Sequence, residues 1–206
     1  MPILAFARRM TGYKRPHLLL DDPDRLAAIA RRHPCQIVFA GKAHPYDEGG
    51  KELIAGLYGD IERLRGAIPM GFPPGYDIAL ARKPVSGADV WLNTPQPPLE
   101  APGTSGMKAA LNGVPSLSVL DGWWIEGCVE GITGWAIGDD GRSPEGDQSA
   151  ADASSMYDKL EHAILPLFHQ HHDAYTNVMR HAIALNGSFF NSHRMVEEYA
   201  LKAYSN

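Results

Sequence analysis

A chain of 206 residues, 44% of them hydrophobic and 21% charged, carries enough apolar material for one good core and reads as a single domain over 1–206. A formal net charge of −5 without any basic tract argues against nonspecific nucleic-acid binding. No run reaches the roughly 18 uninterrupted apolar residues of a membrane span, and MPILAFARR lacks the layout of a signal peptide, so a cytoplasmic protein is expected.

Two cysteines, Cys35 and Cys128, stand far apart and form no Cys-x-x-Cys pattern, so packing roles are expected in place of a disulfide or zinc site. His169, His171 and His172 lack the i, i+4 spacing that sets two imidazoles on one helix face. A solvated helix end is the expectation there, and no metal site is assigned.

Taken in order, residues 3–7 (ILAFA) read as a strand, followed by Arg8-Arg9, Gly12, Tyr13-Lys14-Arg15 and a helical pattern through Arg32. Cations between the end of a parallel strand and a helix face the crevice where α/β sheets bind ligands, a setting that suits phosphate. Taken alone, such residues form a solvated basic face more often than a site. Residues 35–40 (CQIVFA) read as a buried parallel strand ending in Gly41-Lys42-Ala43-His44-Pro45, with Lys42 given a structural part. Leu53, Ile54, Leu57, Ile61 and Leu64 then recur at 3-4 spacing, the pattern of a helix covering the sheet. Residues 67–72 (AIPMGF) are read as a strand, with Pro69 near its start or at an irregularity. Tyr76 opens a helical pattern through Ala81, and residues 88–92 (ADVWL) give the next strand.

A Pro-rich approach (Pro95, Pro97, Pro98) leads to Glu100, to Gly103-Thr104-Ser105-Gly106 and to a helical pattern from Met107 to Asn112. A Gly-rich loop opening into a helix aims free N–H groups and the positive end of the helix dipole at one point, which suits a phosphate. The spacing Gly103-x-x-Gly106-x-Lys108 fits neither a P-loop nor a dinucleotide fingerprint. Residues 115–120 read as another strand, and the tryptophans of Asp121-Gly122-Trp123-Trp124-Ile125-Glu126-Gly127 are given packing roles. A polar, Gly-rich loop is expected over 137–151. Helices are expected over 154–168, about 173–185 and 192–204, the last N-capped by Ser192 with Met195, Val196, Tyr199 and Ala203 as its apolar stripe. Strand–helix alternation to about residue 137, then helices, predicts a doubly wound, mostly parallel α/β sheet with a helical tail over about 150–206.

The run from Leu99 to Gly127 resembles the pyridoxal-phosphate segment of the α-glucan (glycogen, starch, maltodextrin) phosphorylases, the shorter microbial branch in particular. Glu100, Gly103, Thr104, Met107, Lys108, Asn112, Gly113, Asp121, Gly122 and Glu126 recur in register. The resemblance runs nearly end to end over the C-terminal, Rossmann-like half of a GT-B phosphorylase and includes none of the N-terminal half. The chain therefore reads as a fragment, a separately built domain or a truncated gene product.

What the resemblance implies is specific. Lys108 would anchor pyridoxal 5′-phosphate as a Schiff base, Lys14 would meet the cofactor phosphate, and Arg8 and Arg9 match a basic pair near substrate phosphate. Gly103, Thr104 and Gly106 would hold the cofactor through the loop that opens the helix, and Glu100, Gly103 and Arg9 would bind substrate. Tyr76 falls where the family places a tyrosine beside the pyridoxal ring, with plain packing an equal reading. Arg8 stands where many relatives have lysine, and Pro102 where many have serine, which removes a hydroxyl and an N–H.

The implied reaction is phosphorolysis of a terminal α-1,4-glucosidic bond by inorganic phosphate, giving α-glucose 1-phosphate with retention. In it, Arg9, Arg8 and Lys14 would hold two phosphates together. The implied partners are an α-1,4-glucan, inorganic phosphate and the missing N-terminal GT-B half. Neither nucleic acid nor membrane is expected, homo-oligomerisation is left open, and the chain by itself is expected to be inactive. Two alternatives stand: a non-catalytic phosphate- or cofactor-binding module, and a GT-B nucleotide-sugar glycosyltransferase. The second would show paired glutamates as E-x7-E in this region, and the sequence does not.

Overall fold

A computed structural model describes residues 1–138 and 148–205, so most of the loop expected over 137–151 lies outside the described residues. Six strands form one sheet: β1 (Ile3–Ala7), β2 (Gln36–Ala40), β3 (Met70–Gly71), β4 (Val90–Asn93), β5 (Ser116–Val119) and β6 (Gly134–Ile137). Every neighbouring pair is parallel, in the order β3-β2-β1-β4-β5-β6. This is the doubly wound, Rossmann-like order, and its switch point lies between β1 and β4.

Alternation along the strands makes two unlike faces. Leu4 and Phe6 of β1, Ile37 and Phe39 of β2, Leu92 of β4 and Leu117 of β5 join the larger core. Helices α1 (Pro23–Arg32) and α2 (Glu48–Leu64) cover it with Leu26, Ile29, Leu57, Ile61 and Leu64. On the reverse face Ala5, Ala7 and Ala40 alternate with them, and the fully buried Trp91 fills the room these small side chains leave. Helices α3 (Ile78–Gly87) and α4 (Thr104–Leu111) lie on that side, α4 contributing Ala109. A single turn, α5 (Trp124–Gly127), follows β5.

Local chemistry sets several boundaries. Asp22, Asp47 and Asp77 cap α1, α2 and α3 by accepting from the N–H groups of Arg25, Gly50 and Leu80. Asp22→Ala is expected to lower stability by about 1 kcal/mol, read from the midpoint of chemical unfolding; an unmoved midpoint would show the cap to be idle.

The strand expected over 67–72 contracts to Met70–Gly71 at the sheet edge, where the carbonyl of Pro69 still accepts from the Ile37 N–H. The helix expected over 76–81 begins at Ile78 and continues through Pro84 to Gly87, leaving Tyr76 outside it.

The tail is built of α6 (Ser149–Lys159), α7 (Leu165–Gln170), α8 (His172–His181) and α9 (Ser192–Ala203). Two π-helical turns, Leu160–Ile164 and Ala182–Gly187, interrupt the expected continuous helices. The first precedes Pro166, which has no N–H to continue the α-helical ladder. The cap of α9 is Asn191, whose side chain accepts from the Arg194 N–H; Ser192 is already helical, a correction of one residue.

The tail's course matters more than its breaks. Met156, Leu160 and Tyr175 pack against the larger face with Leu117 and Trp135, and the Tyr175 hydroxyl donates to the carbonyl of Asp89, just before β4. Beyond it Ala182 packs with Ala110 of α4 and Trp123, in the cluster on the far side. The tail thus wraps the sheet at the edge where its strands begin. Cys35 is buried, its thiol pushed up to about 11 by burial, in keeping with a packing role. Among the described residues no helix is long and apolar enough to cross a membrane.

Candidate functional site

The loops that follow β1, β4 and β5 meet at the switch point. Arg8 directly follows β1, and its N–H extends the ladder to the carbonyl of Ala40 at 2.9 Å. Residue 41 has to be glycine, because a Cβ there would stand 2.1 Å from the Arg8 carbonyl oxygen. After β4, the Thr94 hydroxyl lies 2.9 Å from the carbonyls of both Lys14 and Arg15, and the Gln96 N–H donates to Tyr13. Arg15, at φ 44, completes the junction. Its guanidinium donates to the carbonyls of Thr94 and Pro95, to Ser149 Oγ and, at 2.6 Å, to Asp152 Oδ2. The first loop is thereby fixed to the second and to α6.

Within this frame lies a buried ionic cluster. Arg8 donates to Glu100 Oε1 at 2.8 Å, and the Lys14 ammonium pairs with Glu100 Oε2. Arg8 and Lys14 are each 7% exposed and Glu100 6%, so all three are shielded from water. The loop after β5 holds the acid in place: Asp121 accepts from the Glu100 N–H with one carboxylate oxygen and from the Gly122 N–H with the other.

Two cations and one carboxylate leave the cluster one positive charge in excess. Burial pulls the Arg8 guanidinium below its ordinary pKa, with Glu100 opposing the shift. Arg8 Nε and NH1 are buried without a hydrogen-bond partner among the described residues. Unsatisfied buried donors on a charged group are costly, and an anion is what would satisfy them.

Tyr76 adjoins this cluster. Its half-buried hydroxyl donates to the carbonyl of Ala7 at 3.3 Å, and burial pushes the phenol above its usual value against the pull of Arg8. Gly103, at φ 68, turns the chain into α4. A Cβ on Gly103 would come within 3.2 Å of both Glu100 Oε1 and Trp123, and one on Gly106 within 3.0 Å of Trp123 Nε1. The bare first turn of α4 thus sits directly on the acid and the indole. The Ser105 hydroxyl is buried there without a partner among the described residues.

The structure therefore gathers Arg8, Lys14, Glu100 and Gly103, with Tyr76 at their side. It does not bring every expected residue to them. Arg9, Thr104 and Lys108 are exposed. Lys108 lies on the face of α4 that borders an apolar groove of about 650 Å³, with Met107, Leu111, Phe189 and Phe190. The Gly106 N–H already donates to Gly103 O, which leaves the glycine a packing role against Trp123. Arg15, Thr94 and Asp152 were missed from the sequence. Nothing local marks an arginine that pairs with an aspartate 137 positions away.

A parallel sheet in this order with a cationic cluster at its switch point defines a Rossmann-like domain, and solved structures agree in fold. Anabaena Alr3699/HepE in complex with UDP and glucose matches 99% of this chain and 48% of its own with a TM-score of 0.70, at 18% identity. A second complex, with UDP-glucose, matches with a TM-score of 0.66 at 17% identity, covering 99% of this chain and 49% of its own. At such identities the likeness is one of fold.

Sequence relatives narrow the class, although no family model matches the chain. Glycogen phosphorylase of Aquifex aeolicus is 46% identical, covering 98% of this chain and 30% of that enzyme. Maltodextrin phosphorylase of Thermococcus litoralis is 45% identical, covering 98% of this chain and 25% of its own length. Glycogen phosphorylase of Mycobacterium tuberculosis is 40% identical, covering 98% and 24%. Over 98% of its length the chain matches the C-terminal domain of the α-glucan phosphorylase family. It spans between 24% and 30% of the length of these relatives.

Proposed function

We propose that the chain is the cofactor- and phosphate-binding domain of a cytoplasmic α-1,4-glucan phosphorylase, an enzyme that passes a terminal glucosyl unit to inorganic phosphate and yields α-glucose 1-phosphate. The observation that carries this reading is the buried Arg8–Glu100–Lys14 cluster with two unpartnered Arg8 nitrogens, in a chain 46% identical to a glycogen phosphorylase.

The residues suit pyridoxal 5′-phosphate. The orphaned donors of Arg8 are what an arriving phosphate requires, and Gly103 turns the chain so that α4 opens beside them. Lys108 would be its covalent anchor, Lys14 its phosphate contact and Tyr76 a neighbour of its ring, with Thr104 at the helix mouth. When bound, the cofactor contributes its phosphate as a proton partner for the substrate phosphate, not its ring as an electron sink.

The chain's own groups do the rest. Arg8 and Arg9 offer planar, forked donors that hold a phosphate in one orientation, and Lys14 adds a point charge. Glu100 accepts hydroxyls of the sugar, and Trp123 keeps water from the mouth of α4. Phosphate already held by these cations protonates the glycosidic oxygen, so the paired carboxylates of ordinary glycosidases are not needed.

Borohydride reduction of the chain loaded with pyridoxal phosphate, followed by peptide mapping, tests the anchor. The pyridoxyl label is expected on Lys108; a label on Lys14 or Lys42 would overturn the assignment.

A further inference from the structure

Both oxygens of Glu100 are occupied by the two cations that the proposed function gives to phosphate. We infer that Glu100 is an internal stand-in for a phosphate dianion: its pairing with Arg8 and Lys14 and the binding of phosphate exclude one another, so that phosphate on arrival releases a carboxylate for the sugar. This rests on the phosphate reading above and goes beyond it in making the acid and the anion competitors.

Charge decides between exclusion and coexistence. With Glu100 in place the cluster carries one net positive charge. A dianion added beside the carboxylate would turn that into one net negative charge, with three like charges crowded into a site sheltered from water. A dianion that replaces the carboxylate leaves the cluster neutral. Hydrogen bonding points the same way. Arg8 reaches Glu100 only through NH2, and its buried Nε and NH1 have no partner among the described residues. A phosphate has enough oxygens to engage the guanidinium as a fork and still meet Lys14.

The acid is also mounted to move. Its backbone N–H is fastened to Asp121, whereas its side chain bonds only Arg8 and Lys14 among the described residues. Gly103, the nearest turn, presents no Cβ to Oε1, where one would stand 3.2 Å away, so the turn puts no side chain against the carboxylate.

Calorimetric titration of the chain and of Glu100→Gln with inorganic phosphate tests this, with pyridoxal 5′-phosphate and unphosphorylated pyridoxal as separate arms. The variant is expected to bind phosphate roughly tenfold more tightly or better. Tightening with inorganic phosphate points to the substrate as the competing anion, and tightening confined to pyridoxal phosphate to the cofactor; pyridoxal should bind both proteins alike. Glu100→Ala removes the charge and the acceptor together, so it should also bind more tightly, and it decides the matter if Glu100→Gln fails to fold even in phosphate. A Glu100→Gln variant that folds only when phosphate is present, followed by circular dichroism, is a further supporting result. Equal or weaker phosphate binding by the variants overturns the exclusion. No phosphate binding by any of the three proteins overturns the underlying phosphate reading instead.

Discussion

Replacing Asp152 by alanine should cost the domain roughly 3–5 kcal/mol, because it leaves the buried Arg15 guanidinium without its carboxylate. The two groups are 1% and 5% exposed and meet at 2.6 Å, so solvent cannot take over the lost partner. Natural domains hold only about 5–15 kcal/mol in total. At roughly 2–4 °C per kcal/mol for a chain of this size, the melting temperature should fall by about 10 °C. Arg15→Met combined with Asp152→Leu should be milder than Asp152→Ala alone, since the guanidinium is then not left buried without its carboxylate. The damage should also reach the site, because Thr94 ties the Lys14 and Arg15 carbonyls together and Arg15 in turn holds Thr94. Thermal and urea unfolding measure the first effect; a loss below about 1 kcal/mol, the size expected of a surface pair, would show the bridge to be solvated.

A second result of comparable weight concerns turnover. Given maltodextrin, phosphate and pyridoxal phosphate, the purified chain should release glucose 1-phosphate at less than about 10⁻⁵ of the rate of a full-length relative. The chain corresponds to 24–30% of those enzymes, and several of its expected contacts, Arg9, Thr104 and Lys108, stand exposed to water. A charge pair at 4 Å is worth about 1 kcal/mol in water against about 4 kcal/mol in a sheltered site. Orientation of the sugar, worth about 7–11 kcal/mol where both reactants are held, needs surfaces on both sides of the crevice. Turnover near that of a full-length relative would show that 206 residues suffice and that this view of the site is wrong.

The strands over 3–7, 35–40, 88–92 and 115–120 were legible because parallel strands buried on both faces read as unbroken apolar runs. β6 was not read as a strand, since Gly134 and Ala136 dilute the same signal within four residues. The edge strand β3 shrank because its pairing is one-sided and Pro69 brings no N–H to it. The helix read over 76–81 begins instead at Ile78, capped by Asp77, and carries through Pro84 to Gly87.

At the site, Arg8, Lys14, Glu100 and Gly103 could be named from their match to a known pattern. That Glu100 neutralises the other two could not, because the pairs span 92 and 86 positions and exist only once β1 and β4 lie side by side. Arg15 stood next to an expected residue and still went unassigned, for its partners are backbone carbonyls and a tail helix whose position no local pattern encodes.

The tail that wraps the sheet also governs how the molecule is made. A nascent chain emerging from the ribosome can pair β1 with β2 and then add β4 and β5, but the Leu117 and Trp135 side of the sheet stays bare until Met156, Leu160 and Tyr175 arrive. Tyr157 closes the same span from the other direction, its hydroxyl accepting from the Asp22 N–H and donating to Leu19, contacts 135 and 138 positions long. Such distant closures are slow to form and leave apolar surface uncovered meanwhile. The interval before residues 156–175 have been synthesised is thus the one in which this domain is most exposed to aggregation and most in need of a chaperone, and a stop codon placed before residue 175 should yield insoluble protein in place of a smaller folded one.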